Sequence, residues 1–104
     1  MRRLAIALAV VSALVFTACG GDSAEGRLGQ ELYGAVCASC HRSGGEGGVG
    51  PAIDEGSEAA SLTDEQLAGV IRAGPGSMPA FGRLSDAQID SLVAHVRLLQ
   101  GLSG

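Results

Sequence analysis

The chain has 104 residues, room for one small domain and no more. It is 46% apolar, contains no lysine, and its seven arginines face eleven acids for a formal charge of −4 at pH 7, a balance that repels nucleic acid at long range and excludes it as a partner. Beyond residue 18 the only aromatics are Tyr33 and Phe81, so side chains alone make a thin core, and a domain this small commonly folds around a disulfide, a metal or a cofactor.

The first 18 residues read as a secretory signal. Met1-Arg2-Arg3 is a positive start, Leu4 to Phe16 is apolar apart from Ser12, and small residues follow. As a helix that apolar run would reach only ~20 Å against a ~30 Å hydrocarbon core, too short for a membrane span. Phe16-Thr17-Ala18-Cys19 resembles a bacterial lipobox, with Phe16 where Leu is commonest. Cys19 is therefore expected to become the lipidated first residue of the mature protein, and two acyl chains on it would give stable rather than transient membrane anchoring. Residues 19–104 carry eleven acids and five arginines, a formal charge of −6. Residues 19–25 form a short polar tether, and residues 26–104 form the domain.

Three helices are predicted and no strand, so the fold class is all-α. The first runs from about Arg27 to Ser39, with Leu28, Leu32 and Val36 on one apolar stripe. Arg42 to Ser61 is a loop holding Gly44, Gly45, Gly47, Gly48, Gly50 and Pro51. No strand precedes it and no Lys-Ser/Thr follows it, so it is not a phosphate cradle. Its glycine density predicts backbone running close against a flat object. The second helix opens at Thr63 with Gln66 three residues on, a capping box, buries Leu67, Val70 and Ile71, and stops at Gly74-Pro75. The third opens at Ser85 with Gln88 at the same offset, and Ile89, Leu92, Val93, Val96 and Leu99 follow helical spacing before Gly101.

The chemistry is concentrated in Cys37-Ala38-Ser39-Cys40-His41. This C-x-x-C-H pattern reads as covalent haem c attachment. Residues i and i+3 share a helix face, so both sulfurs can reach the two vinyl groups of one porphyrin as thioethers, and His41 is placed to bind iron. A thioredoxin-like dithiol would need a βαβ context that is missing, and a zinc site would need a second Cys/His pair. The other axial ligand is expected to be Met78, the only methionine after Met1, in the turn-rich stretch Gly74-Pro75-Gly76-Ser77-Met78-Pro79. Met/His is an electron-transfer pair, and a soft thioether favours ferrous iron and raises the potential. His95 reads as a partly buried packing histidine on the third helix.

With these motifs in order, residues 26–104 resemble the class I bacterial cytochromes c. Gly29, Tyr33 and Cys37 repeat that family's glycine–aromatic–cysteine spacing, Gly50-Pro51 resembles its Gly-Pro, and Met78-Pro79 resembles its ligand loop. The resemblance implies a small cytochrome c fold, three main helices wrapped around one haem. It implies that Gly29 and Tyr33 cross the C-terminal helix closely, where Leu92 matches the family and His95 replaces an aromatic. It also implies that the Pro51 carbonyl accepts a hydrogen bond from His41. The function expected is single-electron transfer without catalysis or a small-molecule substrate. The implied partners are a quinol-oxidising complex upstream and a terminal oxidase or reductase downstream, reached from the periplasmic or outer face of a membrane. Two alternatives stay open: a fixed haem subunit of a larger oxidoreductase complex, and a haem sensor or peroxidase with a displaceable Met78.

Overall fold

The computed structural model describes residues 24–102. Residues 1–18, expected to be a signal, and Cys19, expected to be lipidated, lie outside the described residues. Within them the chain forms α1 (Gly29–Val36), α2 (Ala38–His41), a 3₁₀ turn (Glu58–Ser61), α3 (Asp64–Ala73) and α4 (Asp86–Leu99), with no strand. None of these helices is long and apolar enough to cross a membrane.

Helices α3 and α4 start where their local chemistry places them. The Gln66 backbone N–H donates to Thr63 Oγ1 at 3.0 Å, and the Thr63 N–H donates back to Gln66 Oε1 at 2.9 Å. Ser85 and Gln88 repeat the exchange at 3.1 and 3.0 Å. Each box satisfies two N–H groups that a helix start leaves unpaired, which stabilises the end by ~1 kcal/mol. Gln88 does more than cap. Its Nε2 donates to the carbonyls of Ala24 (2.7 Å) and Arg27 (3.2 Å), tying the segment before α1 to the start of α4.

The core lies where α4 packs against both α1 and α3. Leu32, Tyr33, Ile89 and Leu92 are essentially sealed from solvent. Burial of each apolar side chain of this size contributes ~1.5–3 kcal/mol. Leu67, Ala68, Ile71, Phe81, Leu84, Val93 and Val96 complete the cluster.

Four expectations need correction. The first helix is shorter than Arg27–Ser39: it begins at Gly29 and is interrupted at Cys37, which stays right-handed but with φ widened to −115°. Leu28 is exposed, because it precedes the first helical turn, and the buried face of α1 is Leu32 with Tyr33. On α3 the buried set is Leu67, Ala68 and Ile71, while Val70 is only half-buried because it sits off the line facing α4. The 3₁₀ turn at Glu58–Ser61 falls inside the segment expected to be loop.

Gly29 and Tyr33 both meet α4, and conformation rather than space is what requires glycine at 29. A Cβ on Gly29 would meet nothing within 4 Å, so space does not require glycine there. Conformation does: φ is +55°, in the left-handed region. That geometry turns the Gly29 N–H, an unpaired donor of the helix start, onto Ser91 Oγ of α4 at 2.9 Å. Four residues on, the Tyr33 ring meets His95 of α4 with centroids 4.9 Å apart.

Candidate haem-binding site

The Cys37–His41 stretch is one tight turn following α1. The Cys37 N–H still donates to Tyr33 O (2.8 Å), while Cys37 O accepts from the N–H groups of Cys40 (3.2 Å) and His41 (3.0 Å). Cys37 thus caps α2 instead of lying on a helix shared with Cys40, and these bonds join the two cysteines across the same turn. Both are free thiols and half-buried. Burial, followed by the neighbouring Cys40, pushes the Cys37 thiol up to about 11. A dithiol built for disulfide exchange shifts its attacking thiol the other way, so this pair is poorly set up as a redox disulfide.

His41 is 9% exposed. Its Nδ1 lies 2.7 Å from Pro51 O. A carbonyl cannot donate, so Nδ1 carries the proton and the lone pair resides on Nε2. The ring is also covered from one side. A Cβ added to Gly50 would fall 2.9 Å from Cε1, 3.1 Å from Nδ1 and 3.3 Å from Nε2 of His41. Part of the flat object expected beside the glycine loop is therefore the imidazole itself. These features fit a haem ligand: a fixed tautomer, a ring held against rotation by backbone, and Nε2 with no protein partner among the described residues.

The loop reaches this position by a reversal directly after the histidine. Arg42 has φ +70° and ψ 161°, and it is the only non-glycine residue with positive φ among those described. Such a conformation costs of order 1–3 kcal/mol and persists only where the surroundings impose it. The surroundings here are specific. Arg42 N–H donates to Ala38 O (2.7 Å), Arg42 O accepts from Gly45 N–H (3.0 Å) and from the Tyr33 hydroxyl (2.6 Å), and Arg42 Nε donates to Gly47 O (3.0 Å). Beyond the reversal, Gly47 N–H donates to His41 O at 2.9 Å and Gly50 N–H to Cys40 O at 2.9 Å, folding the loop back over α2.

Met78 sits in the connection between α3 and α4, half-buried against the core cluster, with its N–H on Pro75 O at 3.1 Å. The connection is anchored at Gly74, which ends α3 at φ +62°, and at Phe81, whose N–H returns to Ile71 O at 3.0 Å. On the other flank, α4 holds the segment after the glycine loop. Arg97, with its side chain 11% exposed, donates to Asp64 Oδ1 (2.9 Å), Ala59 O (3.4 Å), Leu62 O (2.5 Å) and Gln100 Oε1 (2.8 Å). The buried Gln100 amide then donates to Ile53 O at 3.0 Å. Sequence reading missed Tyr33 as a polar residue, Arg42, Arg97 and Gln100, because each acts through a partner with no fixed sequence offset. The one available signal was Tyr33, whose hydroxyl has to find an acceptor once the ring is buried.

His95 is half-buried and burial lowers its pKa below the ordinary 6.5. The unfolded chain then binds the proton more readily than the folded one. This contribution to stability is present above the unfolded value and is lost as pH falls below it toward the folded value. His95→Phe removes the linkage. The stability difference between His95→Phe and the parent, read from urea midpoints, is expected to shift in favour of the variant between about pH 8 and pH 5. A difference that stays flat across that interval would count against it.

Residues 24–96 match the family model described as cytochrome c oxidase, cbb3-type, subunit III. A cytochrome c6 from Picosynechococcus sp. is 32% identical in an alignment covering 89% of this chain and 89% of that protein. Among solved structures, cytochrome c6 from the diatom Phaeodactylum tricornutum aligns with a TM-score of 0.59 at 29% identity, covering 69% of this chain and 90% of the other. The c-type cytochrome XoxG from Methylobacterium extorquens AM1 aligns with a TM-score of 0.58 at 28% identity over 69% of this chain, which spans 48% of that structure's length.

Proposed function

Because this chain belongs to the small class I c-type cytochromes, we propose that its haem is held by thioethers from Cys37 and Cys40, with His41 and Met78 as the two axial ligands. The protein is a mono-haem electron carrier with one covalently bound haem c, and it works with redox partner proteins. When bound, the haem supplies an iron that alternates between ferric and ferrous states. The chain's own residues hold and tune it. Cys37 and Cys40 fix the cofactor to one turn. Pro51 O keeps the proton on His41 Nδ1 and so keeps Nε2 available as a donor to metal. Met78 would supply the second protein donor, a soft thioether that favours the reduced state. With both positions filled, no residue is required as acid, base or nucleophile, and the protein is not an enzyme.

The observation that carries this reading is the 2.7 Å contact from His41 Nδ1 to Pro51 O beneath the Gly50 backbone. Its test is the pyridine haemochrome of the purified protein, combined with a redox titration. A spectrum of haem with both vinyls saturated and a reversible one-electron wave are expected, with Cys37→Ala or Cys40→Ala each restoring one vinyl's red shift. Haem that acidified acetone extracts from the parent protein would overturn the covalent assignment.

The proposal extends to placement. Residues 1–18 direct export, and lipidated Cys19 holds the domain at the periplasmic or outer face of a membrane. There it passes electrons from a quinol-oxidising complex to a terminal oxidase or reductase. Cys19→Ser is expected to move the protein from the membrane pellet to the soluble fraction; retention in the pellet would remove the anchor. The family model's description as an oxidase subunit supports a second reading, a fixed subunit of such a complex. Copurification with oxidase subunits after gentle solubilisation would favour it over a mobile carrier.

A further inference from the structure

We infer that the Tyr33 hydroxyl is a positioning group for the haem histidine, acting through the strained backbone of Arg42. The inference rests on His41 being an iron ligand.

Tyr33 comes from α1, and its ring is 1% exposed, so its hydroxyl must be paired inside the protein. The acceptor it uses is the carbonyl of the residue directly after His41, at 2.6 Å. Arg42 adopts a combination of φ +70° and ψ 161° that is essentially reserved for glycine. Its carbonyl direction is set by that conformation, and the Tyr33 hydroxyl holds the carbonyl there. Without the reversal at Arg42, the backbone of residues 47–51 could not fold back over α2. The Gly47 N–H bond to His41 O, the Gly50 cover over the imidazole and the Pro51 acceptor for Nδ1 all lie downstream of it. The phenol stays protonated throughout the working pH range, because burial raises it to about 12, so the clamp does not switch off with pH.

The consequence concerns the iron's potential. A full Nδ1–H to carbonyl bond makes the imidazole a more basic ligand, which favours the ferric state. Loosening the turn weakens that bond and favours the ferrous state.

The test compares holoprotein of the parent, Tyr33→Phe, Arg42→Gly and the double variant. Phenylalanine keeps the ring and its packing on His95 and removes only the donor. Tyr33→Phe is expected to raise the ferrous-to-ferric ratio at fixed ambient potential about threefold or more. It should also speed deuterium exchange of the His41 Nδ1 proton, followed by NMR in the ferrous state. Glycine takes φ +70° without strain, so in the Arg42→Gly background both effects of Tyr33→Phe should fall to about half or less. If the single Tyr33→Phe variant does not accumulate, the Arg42→Gly background carries the test: a smaller shift of the same sign is expected there, and no shift in either potential or exchange rate would overturn the inference. A Tyr33→Phe protein that melts earlier but keeps the parent potential and exchange rate would reduce Tyr33 to packing and overturn the inference. If the parent itself shows no haem-shifted His41 resonances, the ligand assignment fails, and this inference fails with it.

Discussion

Met78→Ala is expected to abolish the weak long-wavelength ferric band of sulfur-to-iron charge transfer and to lower the midpoint potential on the order of 0.1 V or more, well within the range of about 0.8 V that axial ligands command. Met78 is the only methionine after Met1. Its surroundings are those of a side chain placed by backbone. The turn bond to Pro75 O, the αL joint at Gly74 and the Phe81 return to Ile71 together hold residue 78 at the edge of the core. A packing methionine would be replaced by leucine at a cost under about 1.5 kcal/mol and with no spectral change. Met78→Leu therefore separates the two roles, because it keeps the volume and removes the sulfur. Loss of the band in both variants, with exogenous imidazole or cyanide binding more readily, is the expected result. Persistence of the band in either variant would show that another donor holds the second axial position.

The second large effect lies one joint upstream. Gly74→Ala is expected to destabilise the protein by about 2–5 kcal/mol, the sum of a left-handed penalty of ~1–2 kcal/mol and an overpacking cost of ~1–3 kcal/mol. A Cβ at this position would fall 2.5 Å from Ala80 N, 2.6 Å from Met78 O and 2.6 Å from Pro79 C. All three are backbone atoms, so no rotamer change relieves the clash, and the Met78–Ala80 segment has to move. Stability and ligation should therefore fail together. The melting temperature is expected to drop by at least about 10 °C in a domain of this size, with weakening of the sulfur-to-iron band. Gly69 supplies the internal comparison. It lies mid-helix in α3, its added Cβ would meet nothing within 4 Å, and Gly69→Ala should stabilise by about 0.5–1 kcal/mol. Equal melting temperatures for the two alanine variants would contradict the steric argument.

Much of this site could be read from residues alone, because its signals are local. C-x-x-C-H at 37–41 needs only one turn of chain. The capping boxes at Thr63–Gln66 and Ser85–Gln88 operate over three residues, and both open helices at the expected positions. The buried face of α4 follows from helical spacing, with Ile89, Leu92, Val93 and Val96 inside. Where the local signal is weak, residue spacing and structure diverge. The apolar spacing of Leu28, Leu32 and Val36 continued smoothly through Cys37, but the chain breaks there to present α2 as a separate turn. Val70 belongs to the apolar spacing of α3, yet Ala68 takes the buried place because α4 lies on that side.

The residue sequence alone settles the helical class, the helix starts with reciprocal caps and the cofactor motif, since each depends on hydrogen bonds and side-chain periods at offsets of three or four. Beyond the Pro51 carbonyl, tertiary structure alone decides which groups hold the backbone around the histidine and the methionine. The Tyr33–Arg42 clamp, the Gly50 cover on His41, the backbone wall that requires glycine at 74, and the hold of Arg97 and Gln100 on residues 53–64 all arise this way. These contacts pair groups whose separation along the chain follows no period. The return of the glycine loop over α2, the turn after α3 and the packing of α4 set their distances, and no side-chain period encodes any of them.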